Sequence, residues 1–198
     1  MGEIYTGPKF ETVFQSNHAP EHDDIEYLKN WCSTFHAQGL TPSHESGTAG
    51  NLSFRTFPGC NEFIITGAGL HAKCRLNESD FVHIVSCNIS QRKVWVKGTR
   101  LPSSESMMHY AIYNTLPEVN AVFHGHHQGL IDHADELGLP VTETVCDYGS
   151  PELIQSIVPL LGKHTLIIIR DHGFLSIGDS MEEAGHQVLT HKNKLIEF

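Results

Sequence analysis

The chain has 198 residues, a formal net charge of −10, 39% hydrophobic residues and 18% charged residues. This length suits one domain that buries its own core, and the acidic balance argues against a nucleic-acid partner, whose phosphates demand a basic surface. No apolar run reaches the ~18 residues of a membrane-spanning helix, so no membrane partner is expected.

Five cysteines, Cys32, Cys60, Cys74, Cys87 and Cys146, stand apart, with no C-x-x-C spacing. That usage fits reduced thiols in a cytoplasmic protein better than a disulfide framework or a zinc ribbon. The first residues lack the charged-then-apolar order of a signal peptide. MGEIYT fits the loose M-G-x-x-x-[ST] acylation pattern, a match expected by chance, and no lipid anchor is expected.

Residues 1–21 are polar and aperiodic and read as an N-terminal arm ahead of a single domain over 22–198. Within 22–38, Ile25, Leu28, Trp31, Cys32 and Phe35 recur at helical spacing, with an acidic start and Gly39 as the stop. A loop, GLTPSHESGTAG, follows. NLSFRTF and EFIITG read as strands joined by the turn PGCN, and FVHIVSCNI and KVWVKG as a second strand pair. SSESMMHYAIYNTL reads as a helix over 104–115, capped by Ser103 or Ser104. NAVFHGH is a strand, 128–137 a short helix and LPVTETV another strand. SPELIQSIVPLL reads as a helix with Ser150 as cap and Pro151 at its first position. TLIIIR is a buried strand, DHGFLSIG a turn and strand, and SMEEAGHQVLTHKNKLIEF the closing helix. Strands in hairpin-like pairs, then helices alternating with strands, predict an α/β class with helices on the faces of a mixed sheet.

The stretch AVFHGHHQGL places three histidines where a strand leaves the core. In extended backbone His124 and His126 point to the same side, and Gly125 between them leaves room. Two such imidazoles can chelate one divalent cation, which takes three or four ligands. His172 follows the buried strand TLIIIR much as His124 follows AVF, and is the third candidate. A catalytic site also needs a nearby carboxylate, and Glu105 at the start of LPSSESMMH's helix is the candidate. By spacing alone, H-x-H at a strand end also fits rings bonded to carbonyls or water. The remaining histidines, His109 and His127 among them, read as non-ligands.

GTAGN (47–51) and TGAG (66–69) are small-residue loops beside strands, with Thr48 and Asn51 as side-chain donors. Ser103 and Ser104 stand at a helix start. Such nests and helix ends attract anions, although each alone is also a plain turn or cap. Neither loop matches a dinucleotide or Walker pattern.

Read in order, GTAGNLSFR, FIITGAGL, LPSSESMMHYAIY, PEVNAVFHGH, YGSPEL and RDHGFLSIGDSMEEA resemble the class II aldolase/adducin family, and within it the fuculose-phosphate aldolase-like sugar-phosphate lyases. The resemblance implies a three-layer α/β/α fold around a mixed, mostly antiparallel sheet. It implies a homotetramer with sites between subunits and one divalent ion per chain, zinc first. Residue by residue, it assigns metal binding to His124, His126 and His172, and acid/base work to Glu105. Phosphate binding goes to Thr48, Asn51, Gly69, Ser103 and Ser104. The expected function is aldol-type carbon–carbon cleavage through an enediolate, on a small sugar phosphate or related hydroxy-ketone. Dehydration, decarboxylation or epimerisation on the same site, and a non-catalytic assembly role, are the alternatives.

Three departures bear on that expectation. A phosphate-binding threonine of the family falls on Ala68, which removes a donor. The segment 127–141 is shorter than in fuller members. The sequence stops at Phe198, where fuller members continue into a tail that supplies a tyrosine acid; Tyr148 and Asp147 are the candidate substitutes.

Overall fold

A computed structural model describes residues 7–44 and 47–197 of the chain. The MGEIYT stretch lies outside the described residues. In order, the elements are β1 (Glu11–Ser16), α1 (Ile25–Ala37), the short strands β2 (Ser43–His44) and β3 (Gly47–Thr48), β4 (Asn51–Arg55) and β5 (Phe63–Thr66). Then come β6 (Phe81–Asn88), β7 (Lys93–Lys97), α2 (Ser106–Thr115), β8 (Ala121–Gly125) and α3 (Gln128–Asp132). The chain closes with α4 (Pro151–Ile157), β9 (Leu166–Ile169), β10 (Gly173–Gly178) and α5 (Met181–Lys194).

The longer strands form one eight-stranded sheet in the order β1-β7-β6-β5-β4-β8-β10-β9. Every neighbouring pair is antiparallel except β1 with β7, so the sheet is mixed and mostly antiparallel. Side chains alternate across it and build two cores. In β5, Phe63 and Ile65 pack with Met107, Ile112, Leu153 and Ile157 of α2 and α4. Ile64, between them, joins Leu28 and Phe35 of α1 and Ala184 and Val188 of α5 on the opposite face. Two apolar sheet faces, each covered by helices, make the three-layer α/β/α arrangement.

Three local expectations need correction. The stretch 1–21, expected as an arm, contributes β1, with Thr12 opposite Val94 and Phe14 opposite Val96. An edge strand has one neighbour, and β1 is half-exposed throughout, so it needs no apolar periodicity. LPVTETV is no strand: it makes a single parallel bridge, Val141 with Ile168. Past that bridge the ladder stops, because the Thr142 hydroxyl takes the Arg170 amide at 3.0 Å and the Arg170 side chain donates to Thr142 O at 2.9 Å. Helix α2 starts at Ser106, and its N-cap is Glu105, which makes no side-chain capping bond; the Ser103 hydroxyl takes the Glu105 amide at 3.4 Å. By contrast, α4 begins as expected, with Ser150 Oγ accepting the Leu153 amide and Pro151 in the first turn.

Strands β4, β8 and β10 lie side by side in the sheet, with Asn51 opposite His124 and His124 opposite Leu175. Among the described residues, no helix is long and apolar enough to cross a membrane.

Candidate active site

A buried row of polar side chains runs between β4 and α2. Leu52 and Phe54 point into the α1/α5 core, so Asn51, Ser53 and Arg55 face α2. Opposite them, Glu105, His109 and Tyr113 are spaced four apart and share one helix face. Two strand residues rise ~6.6–6.8 Å and four helical residues ~6.0 Å, so the two rows keep step. Asn51 Nδ2 donates to Glu105 Oε2 at 2.8 Å. Ser53 Oγ lies 2.7 Å from His109 Nδ1 and 2.8 Å from the Tyr113 hydroxyl. The Arg55 guanidinium donates to the carbonyls of Tyr113 and Leu116, both at 2.9 Å.

Glu105 ends this row at the histidines. His124, at the end of β8, is fully buried. Gly125 must lack a side chain, because a Cβ there would stand 2.5 Å from the Leu40 carbonyl and from the Phe174 ring. His126 comes next, its amide fixed on Leu40 O at 2.8 Å, and His172 lies in the turn between β9 and β10. One ring nitrogen from each of His124, His126 and His172 lies within 4.8 Å of the other two.

The hydrogen bonds fix what these nitrogens present. His124 Nδ1 is 2.7 Å from Phe174 O. A carbonyl only accepts, so Nδ1 carries a proton and Nε2 is the nitrogen turned to the cluster, the one a metal would bind. There it meets His126 Nε2 at 3.0 Å and Glu105 Oε2 at 3.1 Å. The other Glu105 oxygen is 3.0 Å from His172 Nε2. Imidazole nitrogens and a carboxylate converging in this way form a donor set suited to a divalent transition metal.

The electrostatics suit that use. Burial alone would push the Glu105 carboxyl up, but the His124 charge and the hydrogen bonds from His124 and His172 hold it well below the usual carboxylate range. Burial, then the charges of His124 and His172, keep the His126 imidazole well below its ordinary value. Burial also pushes His109 down to about 3. At neutral pH the site therefore holds a carboxylate and neutral His126, the forms in which these groups bind a metal.

The expected anion-binding segments come together around the turn after β5. Thr48 donates both its amide and its hydroxyl to Leu70 O, at 2.7 and 2.9 Å. Gly69 takes the left-handed conformation, φ +66°. The Ala68 amide bonds Leu101 O, and Gly67 bridges Pro102, which ties this turn to the buried Ser103 and Ser104. The Thr48 donors are thus engaged within the chain, and Asn51 directs its amide at Glu105. The candidate second acids lie elsewhere: the Tyr148 hydroxyl donates to Gly7 O at 3.3 Å, and Asp147 is exposed beside Lys9.

Sequence analysis did not single out Ser53, His109 or Tyr113 as part of the site's support. The signal was there: i, i+4, i+8 polar positions on one helix, and alternate polar positions on an otherwise apolar strand. A cavity of about 500 Å³, lined by Asp24, Tyr27, Arg55 and Asp179 among others, opens at the far end of β4 and brings no comparable ligand set together.

Comparison with known proteins follows the same lines. Residues 27–194 match the family described as class II aldolase and adducin N-terminal domain. Methylthioribulose-1-phosphate dehydratase of Acidiphilium cryptum is 27% identical over 74% of this chain and 75% of its own. L-fuculose phosphate aldolase of Haemophilus influenzae is 25% identical over 70% of this chain and 66% of its own. A solved L-fuculose 1-phosphate aldolase superposes with a TM-score of 0.72 at 23% identity, covering 92% of this chain and 87% of that one. The chain belongs to the class II aldolase and adducin N-terminal domain family.

Proposed function

We propose that the protein is a divalent-metal-dependent lyase that forms an enediolate from a small sugar phosphate or related hydroxy-ketone. One observation carries this: buried Glu105 stands 3.0–3.1 Å from ring nitrogens of His172 and His124, beside a three-histidine donor set. His124, His126 and His172 are the residues to hold the ion, zinc first, one per chain. An ion bound there supplies Lewis-acid polarisation of the substrate carbonyl and counter-charge for the enediolate.

The chain's own groups do the rest. Glu105, kept anionic by its histidine neighbours, takes the proton from the carbon beside the carbonyl, or returns it. Asn51 and His172 hold the carboxylate in one orientation, so little reorganisation is needed when charge develops. Gly69, Ser103 and Ser104 orient the substrate's anionic end, with the loop of Thr48 and Asn51 beside them. The site's burial keeps bulk water from the enediolate.

Aldol-type carbon–carbon cleavage is the first reading: the hydroxyl on the departing carbon loses its proton to water and becomes the aldehyde, the bond's electron pair becomes the enediolate, and Glu105 returns a proton to it. Dehydration is the second, favoured by the 27% identity to a methylthioribulose-1-phosphate dehydratase across three-quarters of the chain. A homotetramer in the cytoplasm completes the proposal.

The test is metal analysis of untagged protein by plasma mass spectrometry, then incubation with a panel of ketose phosphates in deuterium oxide. About one transition metal per chain and deuterium at the carbon beside the carbonyl are expected. Two fragments mark an aldolase, and one product lighter by a water marks a dehydratase. Protein that takes up no metal and exchanges no deuterium would overturn the proposal.

A further inference from the structure

We propose that Lys73 is the fixed cation of the anion-binding side of the site, a positioning residue that anchors the 47–51 loop and draws the substrate's phosphate towards it. This rests on the sugar-phosphate reading above. Lys73 is 2% exposed. Its ammonium donates to Ala49 O at 2.7 Å and also to Gly50 O. A lysine ammonium has three donors and no acceptor, so two of its three donors are aimed at this loop.

The loop they hold cannot shift freely. Gly50 has φ +75°, and a Cβ there would stand 2.6 Å from His124 O. The next residue is Asn51, which aims Glu105. Lys73 thus holds the backbone immediately before the residue that orients the catalytic carboxylate.

Among the described residues, no carboxylate pairs with Lys73. Arg100, whose side chain lies against Gly67 in the neighbouring turn, is paired with Asp80 at 2.8 Å. A buried ammonium without a partner is costly, and two carbonyl dipoles offset only part of that cost. Glu105, His126 and Cys32 all lie within reach of its field. Burial pushes Lys73 down to about 8, so it stays largely charged at neutral pH. A phosphate entering beside Gly69, Ser103 and Ser104 meets a positive charge that no described carboxylate pairs with, through a medium that screens poorly.

The test is titration of the metal-loaded protein with inorganic phosphate by calorimetry, in the wild type and in Lys73→Met, Lys73→Gln and Lys73→Arg. Metal content, thermal midpoint, kcat and KM are read in parallel. Both neutral variants are expected to bind phosphate about tenfold more weakly, with metal content unchanged and KM affected more than kcat. Lys73→Arg is expected to restore most of the affinity. Neutral variants that bind phosphate as the wild type does would overturn the proposal. So would neutral variants that fail to fold while Lys73→Arg folds, because the charge would then serve the fold. A wild type that takes up metal and exchanges deuterium yet binds no phosphate would instead sink the phosphorylated-substrate reading.

Discussion

Asn51 and Arg55 occupy the two ends of β4, face the same helix and are equally buried, each 4% exposed. At the Arg55 end every contact closes. The guanidinium donates to Val119 O at 2.7 Å, to Tyr113 O and Leu116 O at 2.9 Å, and to Cys60 O. These bonds fasten the end of α2 and the turn before β8 to the sheet. At the Asn51 end titratable groups gather instead: the Nε2 atoms of His124 and His126, 3.0 Å apart, beside the Glu105 carboxylate, with Asn51 Oδ1 buried and without a hydrogen-bond partner. Burial therefore does not distinguish the two ends. What separates them is that the Arg55 donors all meet fixed carbonyl acceptors, whereas the Asn51 end brings ring nitrogens and a carboxylate together, groups that can exchange protons or take a cation.

That contrast predicts that changes at one end alter chemistry and changes at the other alter stability. The largest expected effect is Glu105→Gln, which keeps shape and hydrogen bonding but removes the base. Turnover should fall by about 10²–10⁴, with the melting temperature close to wild type, read by steady-state kinetics and calorimetry. His126→Ala follows. It removes one ligand at a strand end, so metal affinity should fall by about 100-fold or more with the circular dichroism spectrum unchanged, read by chelator competition. A variant that keeps the full metal content would break the assignment.

Arg55→Met should do the reverse, costing about 3 kcal/mol of unfolding free energy by urea titration while the folded fraction keeps its metal. Loss of metal from that folded fraction would erase the distinction between the two ends. The smallest effect sharpens the row between them. His109 is neutral in the fold down to about pH 3, whereas its ordinary value is 6.5. The unfolded chain therefore takes up a proton that the folded chain refuses. Its contribution is fully present above pH 6.5 and is lost as the pH falls from there, by about 1.4 kcal/mol per unit. Urea midpoints at pH 6.5 and 5.5 should drop less steeply in His109→Gln than in the wild type.

Much of the fold was legible in the sequence because local rules were strong. Alternation marked the strands, a 3.6-residue period marked α1, and Ser150-Pro151 marked the start of α4. The histidines were legible too, since strand ends that deliver imidazoles from AVF and TLIIIR are visible in one dimension. Where pairing has one partner, the signal fades: β1 is an edge strand with no apolar face, and LPVTETV loses its ladder after Val141, where the Thr142 and Arg170 side chains take the next backbone groups.

The sequence by itself determined the α/β class, the two helical faces and the identity of the converging histidines and Glu105, because periodicity and residue chemistry are properties of the chain. Only the tertiary structure decided that Asn51 aims at Glu105, that Thr48 directs its donors at Leu70, and that Lys73 is buried under the glycine loop. Those facts depend on which segments meet across the sheet, and an amide or ammonium has no set partner until packing supplies an acceptor.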